Sequence, residues 1–155
     1  MPAADLDSFD RAILAELQRN NLTPQRVIAE HVNLSAPAVQ RRIKRLHEEG
    51  VIAANVAVLD PARVGRTLTA VISVQLVNDR PDLSRDFRAR IAKEAAVQQC
   101  FYVTGETDYV LVVTASDMED YQAITRRLFE GDDNIRRYST SIALEQVKTG
   151  LQLPV

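Results

Sequence analysis

Seven residues in one short stretch, Ser35, Ala36, Pro37, Gln40, Arg41, Lys44 and Arg45, have the types and spacing to grip a polyanion and read its surface. A Gln amide can pair with adenine and an Arg guanidinium with guanine, each through two hydrogen bonds at the major-groove edge. Lys44 and Arg45 suit phosphates, which supply affinity and salt dependence rather than sequence. Ser35 and the free N–H groups of a following helix can hold a phosphate, because helix N-termini attract anions. Arg42 lies nearer the inner face, and two readings stay open for it: a nucleic-acid contact, or an ion pair with an acid of the first helix.

A second group is Thr104-Gly105-Glu106-Thr107-Asp108-Tyr109, with Ser139, Thr140 and Ser141 further on. Asp108, helped by Glu106, can accept an ammonium. Gly105 lets backbone N–H groups approach a carboxylate, and Thr104 and Thr107 add hydroxyls. The same Gly-Glu-Thr-Asp run is also an ordinary hairpin turn in composition, and spacing alone favours that reading.

The elements that must position these groups can be read from periodicity. Val27, Ile28 and Val32 line one face of a helix, with small Ala29 where two helices must meet. Asn33-Leu34-Ser35 forms a tight corner, in which Asn33 tolerates positive φ and Ser35 is a good N-cap. Val39, Ile43 and Leu46 then share one face of a second helix, with Gln40, Arg41, Lys44 and Arg45 on the other. This is a helix-turn-helix pattern. An earlier helix, Asp7 to Arg19, carries Phe9, Ile13, Leu14 and Leu17 as its inner stripe. Thr23 as N-cap and Pro24 at the first position open the middle helix, and Gly50 ends the third.

Val51 to Leu59 reads as a strand leaving the helical unit, broken by Asp60-Pro61 and Gly65. From Arg66 the periodicity changes to a strand over Thr67 to Leu76, then a turn from Asn78 to Leu83. Next comes a helix with Leu83, Phe87, Ile91 and Ala95 inward. Two strands over Val97 to Thr104 and Asp108 to Ala115 flank the turn. A helix capped at Ser116-Asp117 places Met118, Tyr121, Ile124, Thr125 and Leu128 inward, and Ile135 to Val147 reads as the closing strand. The tail from Lys148 shows no clear element. The expected fold class is α+β: an N-terminal trihelical, winged helix-turn-helix domain followed by a ferredoxin-like βαββαβ domain. The expected divisions are residues 1–52, a linking strand and hinge at 53–65, and 66–155. So apolar a sheet needs cover on its second face, and a partner subunit is the economical answer.

Composition limits the function classes. The chain has 155 residues and a net charge of −2, so nucleic-acid affinity must come from a local patch. The cluster Arg41, Arg42, Lys44 and Arg45 contains no acid, whereas the first helix opens with Asp5, Asp7 and Asp10. The single cysteine, Cys100, sits in an apolar run and reads as a buried small hydrophobe. No C-x-x-C motif, metal cluster, phosphate loop or nucleophile–base pair is present, so no catalytic residue, metal or cofactor is expected. No apolar run reaches membrane-spanning length, and the acidic N-terminus lacks a signal-peptide core, so a cytoplasmic protein without membrane association is expected.

Nearly the whole chain resembles the Lrp/AsnC, or feast/famine, regulators. LDSFDRAILAELQ resembles the family's first helix, and VNLSAPAVQRRIKRLHEEGVI its recognition helix. VTGETDYVLVV resembles the effector-loop hairpin, and SIALEQVK the closing strand. Asn20-Asn21-Leu22 and Arg26-Val27-Ile28-Ala29 depart from the family's usual charged turn and second-helix acid. The resemblance implies a regulator that binds double-stranded DNA at a near-palindromic operator. It implies homodimers through the effector sheets and linking strands, often assembled to octamers. It also implies an amino-acid effector at subunit contacts, with Thr104 to Tyr109 and Ser139 to Ser141 lining its site. Two other readings remain: an effector-binding oligomer whose helical unit makes protein contacts, and a tetrapyrrole-modifying enzyme of related architecture. Both histidines, His31 and His47, lie in the helix-turn-helix, which counts against the enzyme.

Overall fold

A computed structural model describes residues 4–78 and 80–155. It divides into two compact units, residues 1–58 with 148–155, and residues 59–147. The tail that reads without an element in the sequence has neither helix nor strand and groups with the helical unit.

In the first unit, α1 spans Ser8–Arg19, α2 Gln25–Val32 and α3 Ala36–Glu48. Asp7 caps α1 in a reciprocal box with Asp10: each carboxylate accepts the other's backbone N–H, at 2.8 and 3.2 Å. Ile13, Ile28, Ala29, Val32 and Val39 form the buried centre, with Leu17, Leu34 and Ile43 packed around it. Asn33 adopts the left-handed conformation (φ 54°) that turns the chain between α2 and α3. Ser35 caps α3, its hydroxyl accepting the N–H of Ala38 at 3.3 Å. Gln18 ties the tail to α1: its amide donates to the carbonyl of Leu153 (2.9 Å) and accepts the Leu153 N–H (2.7 Å).

Several local expectations are corrected here. Pro24, not Thr23, stands at the N-cap of α2, and no side chain caps that helix. Phe9 is exposed beneath the guanidinium of Arg42, 5.4 Å from its ring centroid, rather than in the inner stripe. Residues 51–60 form no strand. Their β-branched composition favours extension, but a strand needs a hydrogen-bonding neighbour, and no segment among the described residues pairs with them.

In the second unit, β1 (Leu68–Leu76), α4 (Pro81–Lys93), β2 (Val97–Tyr102), β3 (Tyr109–Ala115), α5 (Met118–Phe129) and β4 (Ile135–Ile142) give one antiparallel sheet in the order β2-β3-β1-β4. This is the ferredoxin-like arrangement. Ala70, Ile72 and Val74 of β1 and Leu111 and Val113 of β3 point to one face. There they meet Phe87 and Ile91 of α4 and Tyr121, Ile124, Leu128 and Phe129 of α5 in a single core.

Helix α4 begins at Pro81, so the expected turn to Leu83 is shorter; of that turn, Asp79 lies outside the described residues. Leu83, Ala95 and Met118 are exposed, and Ser84 and Ala96 take the buried places beside Phe87 and Ile91. Strand β2 stops at Tyr102 and β4 at Ile142, both short of expectation. As an edge strand, β2 leaves Cys100 exposed rather than buried.

Candidate functional site

The sequence of α3 sorts its cations by helical phase. Arg42 and Arg45, one turn apart, face α1. Pro37, Gln40, Arg41 and Lys44, at three- and four-residue steps, form the opposite, exposed stripe. Ser35 is exposed beside half-buried Ala36. Its hydroxyl oxygen accepts the Ala38 N–H, and Pro37 has no N–H, so the helix start has two fewer free backbone donors for a phosphate. Gln40 and Arg41 make no side-chain hydrogen bond or ion pair among the described residues. Lys44 stands 3.6 Å from Glu48, an exposed pair of little energetic weight.

Both inward arginines are held by α1. Arg42 Nη1 meets Asp7 Oδ2 at 2.8 Å and Asp10 Oδ1 at 2.7 Å, and Arg45 Nη2 meets Asp10 Oδ2 at 2.6 Å. The ion-pair reading of Arg42 is therefore the one realised, and Arg45, expected on phosphates, is engaged in the same knot. Burial works against the Asp10 charge, but the hydrogen bonds from Arg45, Arg42 and the Asp7 N–H outweigh it and hold the carboxyl below its ordinary range. The hydrogen bond from the Asp10 N–H is the main reason that Asp7 is lowered as well.

In the second unit, the loop between β2 and β3 has a fixed root and a free tip. Asp108 Oδ2 accepts the Leu76 N–H at 2.7 Å, and the Asp108 N–H donates to the Val74 carbonyl at 2.9 Å. Thr107 donates its hydroxyl to the same carbonyl at 2.7 Å. Tyr109 is buried against Phe87, with its hydroxyl accepting from Arg88 Nε at 2.7 Å. Thr104, Gly105 (φ 123°) and Glu106 are exposed.

Of the closing-strand hydroxyls, Ser139 and Ser141 pair with Ser73 and Val71 and lie on the open face of the sheet. Thr140 pairs with Ile72 on the core side, where its hydroxyl bonds that of Tyr121. Three consecutive strand residues cannot face one ligand, because side chains alternate. Strand β1 separates β4 from β3, so Ser139 and Ser141 stand about 10 Å, two strand spacings, from the hairpin strand. Among the described residues, these two groups therefore stand apart and enclose no common site. A cleft of about 530 Å³ opens elsewhere, between α5 and β4, beside Arg126, Phe129, Arg136 and Tyr138. The sequence reading missed it; its one signal is the Arg136-Arg137 pair after the Gly131–Asn134 turn.

The chain matches two family models, the winged helix-turn-helix DNA-binding model over residues 6–53 and the Lrp/AsnC ligand binding domain over residues 69–153. The chain belongs to the Lrp/AsnC family. It is 39% identical to the HTH-type transcriptional regulator y4tD of Sinorhizobium fredii, over 99% of this chain and 90% of that one. It is 31% identical to the DNA-binding transcriptional activator DecR of Escherichia coli K12, over 97% and 99%. Among solved structures, an AsnC family transcriptional regulator from Agrobacterium tumefaciens superposes with a TM-score of 0.91 at 31% identity, covering 96% of this chain and 97% of that one. A transcriptional regulator from Neisseria meningitidis in complex with L-Met gives 0.88 at 32%, covering 97% of each. The protein is an Lrp/AsnC-type DNA-binding transcription regulator. No described helix is long and apolar enough to cross a membrane.

Proposed function

We propose that this Lrp/AsnC regulator places the exposed stripe of α3 in the major groove of a near-palindromic operator and responds to an amino acid held at subunit contacts. Gln40 and Arg41 read base edges, Lys44 contacts phosphate, and Ser35, Ala36 and Pro37 approach the backbone at the helix start. The observation that carries the DNA reading is the stripe itself: Gln40 and Arg41 stand exposed with no partner among the described residues, while their neighbours are tied to α1.

The effector reading rests on the incompleteness of the second unit. The exposed tip Thr104-Gly105-Glu106 and the open-face hydroxyls Ser139 and Ser141 need a second surface to close around a ligand, and the L-Met complex of the Neisseria relative supports an amino acid as that ligand. Asp108 supplies negative charge at the hairpin root, Thr107 a hydroxyl, and Tyr109 the buried anchor behind them.

Val71 and Phe101 are exposed on the open sheet face, and Val56 and Val58 on the linking segment, which supports a homodimer closed over both, with octamers built from such dimers. The protein acts in the cytoplasm and is not an enzyme; both histidines belong to the helical unit and neither to the unit that carries the effector hairpin. Ligand binding to one assembly in preference to another would then shift the population that binds DNA.

Thermal unfolding against each of the twenty amino acids, read together with mass in solution, tests this. An effector present at a hundred times its Kd adds about 2.7 kcal/mol of stability. A midpoint shift by one chemical class supports the proposal, and no shift with any of them removes the amino-acid reading.

A further inference from the structure

The charge cluster between α1 and α3 does more than hold two helices together. Asp10 is 1% exposed, and its carboxylate receives three donors: the Asp7 N–H, Arg42 Nη1 and Arg45 Nη2. A buried carboxylate is tolerated only when paired in this way. Asp7 takes Arg42 from the other side at 2.8 Å, so two acids and two arginines balance to zero. Arg42 is further fixed over the Phe9 ring. The geometry is a double lock. Asp7 caps α1 and Asp10 lies in its first turn, Arg42 and Arg45 are one turn apart on α3, and the crossed contact of Arg42 with both acids sets the roll of α3 about its own axis.

We propose that Asp10 is a positioning residue of the DNA interface: it holds Arg42 and Arg45 out of the phosphate-binding set and turns Gln40, Arg41 and Lys44 outward. Four cations crowd the recognition helix in the sequence, but DNA meets two. For Arg45 to reach a phosphate it must leave a buried carboxylate short of a partner, a loss that an exposed phosphate contact does not offset. Arg45 Nε is buried with no hydrogen-bond partner among the described residues, and Glu49 Oε1 stands 4.0 Å from it, so this edge of the guanidinium is closed to a phosphate.

This inference rests on the reading that α3 faces DNA, and one experiment separates the two. The full-length protein is titrated with a random-sequence duplex by fluorescence anisotropy over a range of salt, since the slope of log K against log salt counts released phosphate counterions at about 0.9 per contact. Folding of each variant is checked by circular dichroism. Lys44→Ala should flatten the slope by about 0.9 for each recognition helix engaged, and Arg45→Ala should leave it unchanged. Asp10→Asn should steepen it by releasing the inward arginines, and adding Arg45→Ala to Asp10→Asn should take back the share of that arginine, which a purely structural role of Asp10 would not produce. If Arg45→Ala flattens the slope as much as Lys44→Ala, the inference is overturned while the face reading stands. If neither changes the slope, the face reading falls and the inference with it. Should Asp10→Asn not fold, the comparison of Arg45→Ala with Lys44→Ala decides alone.

Discussion

The carboxylate of Asp108 accepts the backbone N–H of Leu76 at 2.7 Å and so fastens the root of the β2–β3 hairpin to the end of β1. The bond falls where the β1–β4 register shifts between Gln75 and Leu76, a place where the sheet ladder is interrupted and a backbone donor needs another acceptor. Asp108 therefore has a structural duty as well as the charge that an ammonium group would seek.

These two duties separate by substitution. Asp108→Ala leaves the nearly buried Leu76 N–H unpaired and should cost about 1–3 kcal/mol in urea unfolding. Asp108→Asn keeps an oxygen for that N–H and should cost no more than about 0.5 kcal/mol, as a surface-like change, yet it removes the negative charge. The Asn variant should fold normally and lose the amino-acid-induced thermal shift. A full shift in the Asn variant would assign the carboxylate to structure alone.

The closing strand offers a second separation. Thr140→Val removes the bond to the Tyr121 hydroxyl on the core side and should lower stability by about 0.5–1.5 kcal/mol with the effector response intact. Ser141→Ala on the open face should do the reverse, leaving the melting midpoint in place and weakening the response. Paired melting curves with and without effector check both.

At the corner of the helix-turn-helix, Asn33 holds a left-handed backbone (φ 54°) that an alanine adopts at a cost of about 1 kcal/mol. Asn33→Gly should be neutral or slightly stabilising, and Asn33→Ala destabilising by about that amount. Equal stability of the two variants would show that the corner relaxes.

Much of the helix-turn-helix was legible because its signals are local. The spacing of Ile28, Val32, Val39 and Leu46, the Ser35 cap, the tolerance of Asn33 for positive φ and the acid-free basic cluster all act within a turn or two of chain. What escaped depends on pairing across the fold. The segment 51–59 has strand composition but no partner segment among the described residues, and Cys100 has apolar neighbours in sequence yet lies on an edge strand. Thr140 was grouped with Ser139 and Ser141 by type, but alternation along β4 turns it to the opposite face. Arg45 was grouped with Lys44 by charge, and only the α1–α3 packing shows that Asp10 claims it.

Acid should expose that packing. Asp7 and Asp10 both have folded-state pKa values below the ordinary 3.8, so near that pH the unfolded chain binds more protons than the folded one. Their contribution is fully present above the unfolded value and is lost as pH falls through the folded values. Glu16, Glu94 and Asp120 are lowered too and add to the acid limb of the whole chain. Asp10→Asn should start from a lower melting midpoint at neutral pH and fall less steeply below about pH 4. A parallel acid limb in the variant would remove Asp10 from the account.

The exposed stripe of α3 is tested most directly by electrophoretic retardation of operator DNA selected from genomic fragments, comparing the wild type with the Arg41→Ala/Lys44→Ala double variant. Both substituted side chains are solvent-exposed, so mass in solution and melting midpoint should not change. Retardation should weaken by at least about tenfold, since a lost base-edge pair alone is worth about 1–3 kcal/mol. Undiminished retardation by the folded, normally assembled variant would show that DNA meets another surface of the protein.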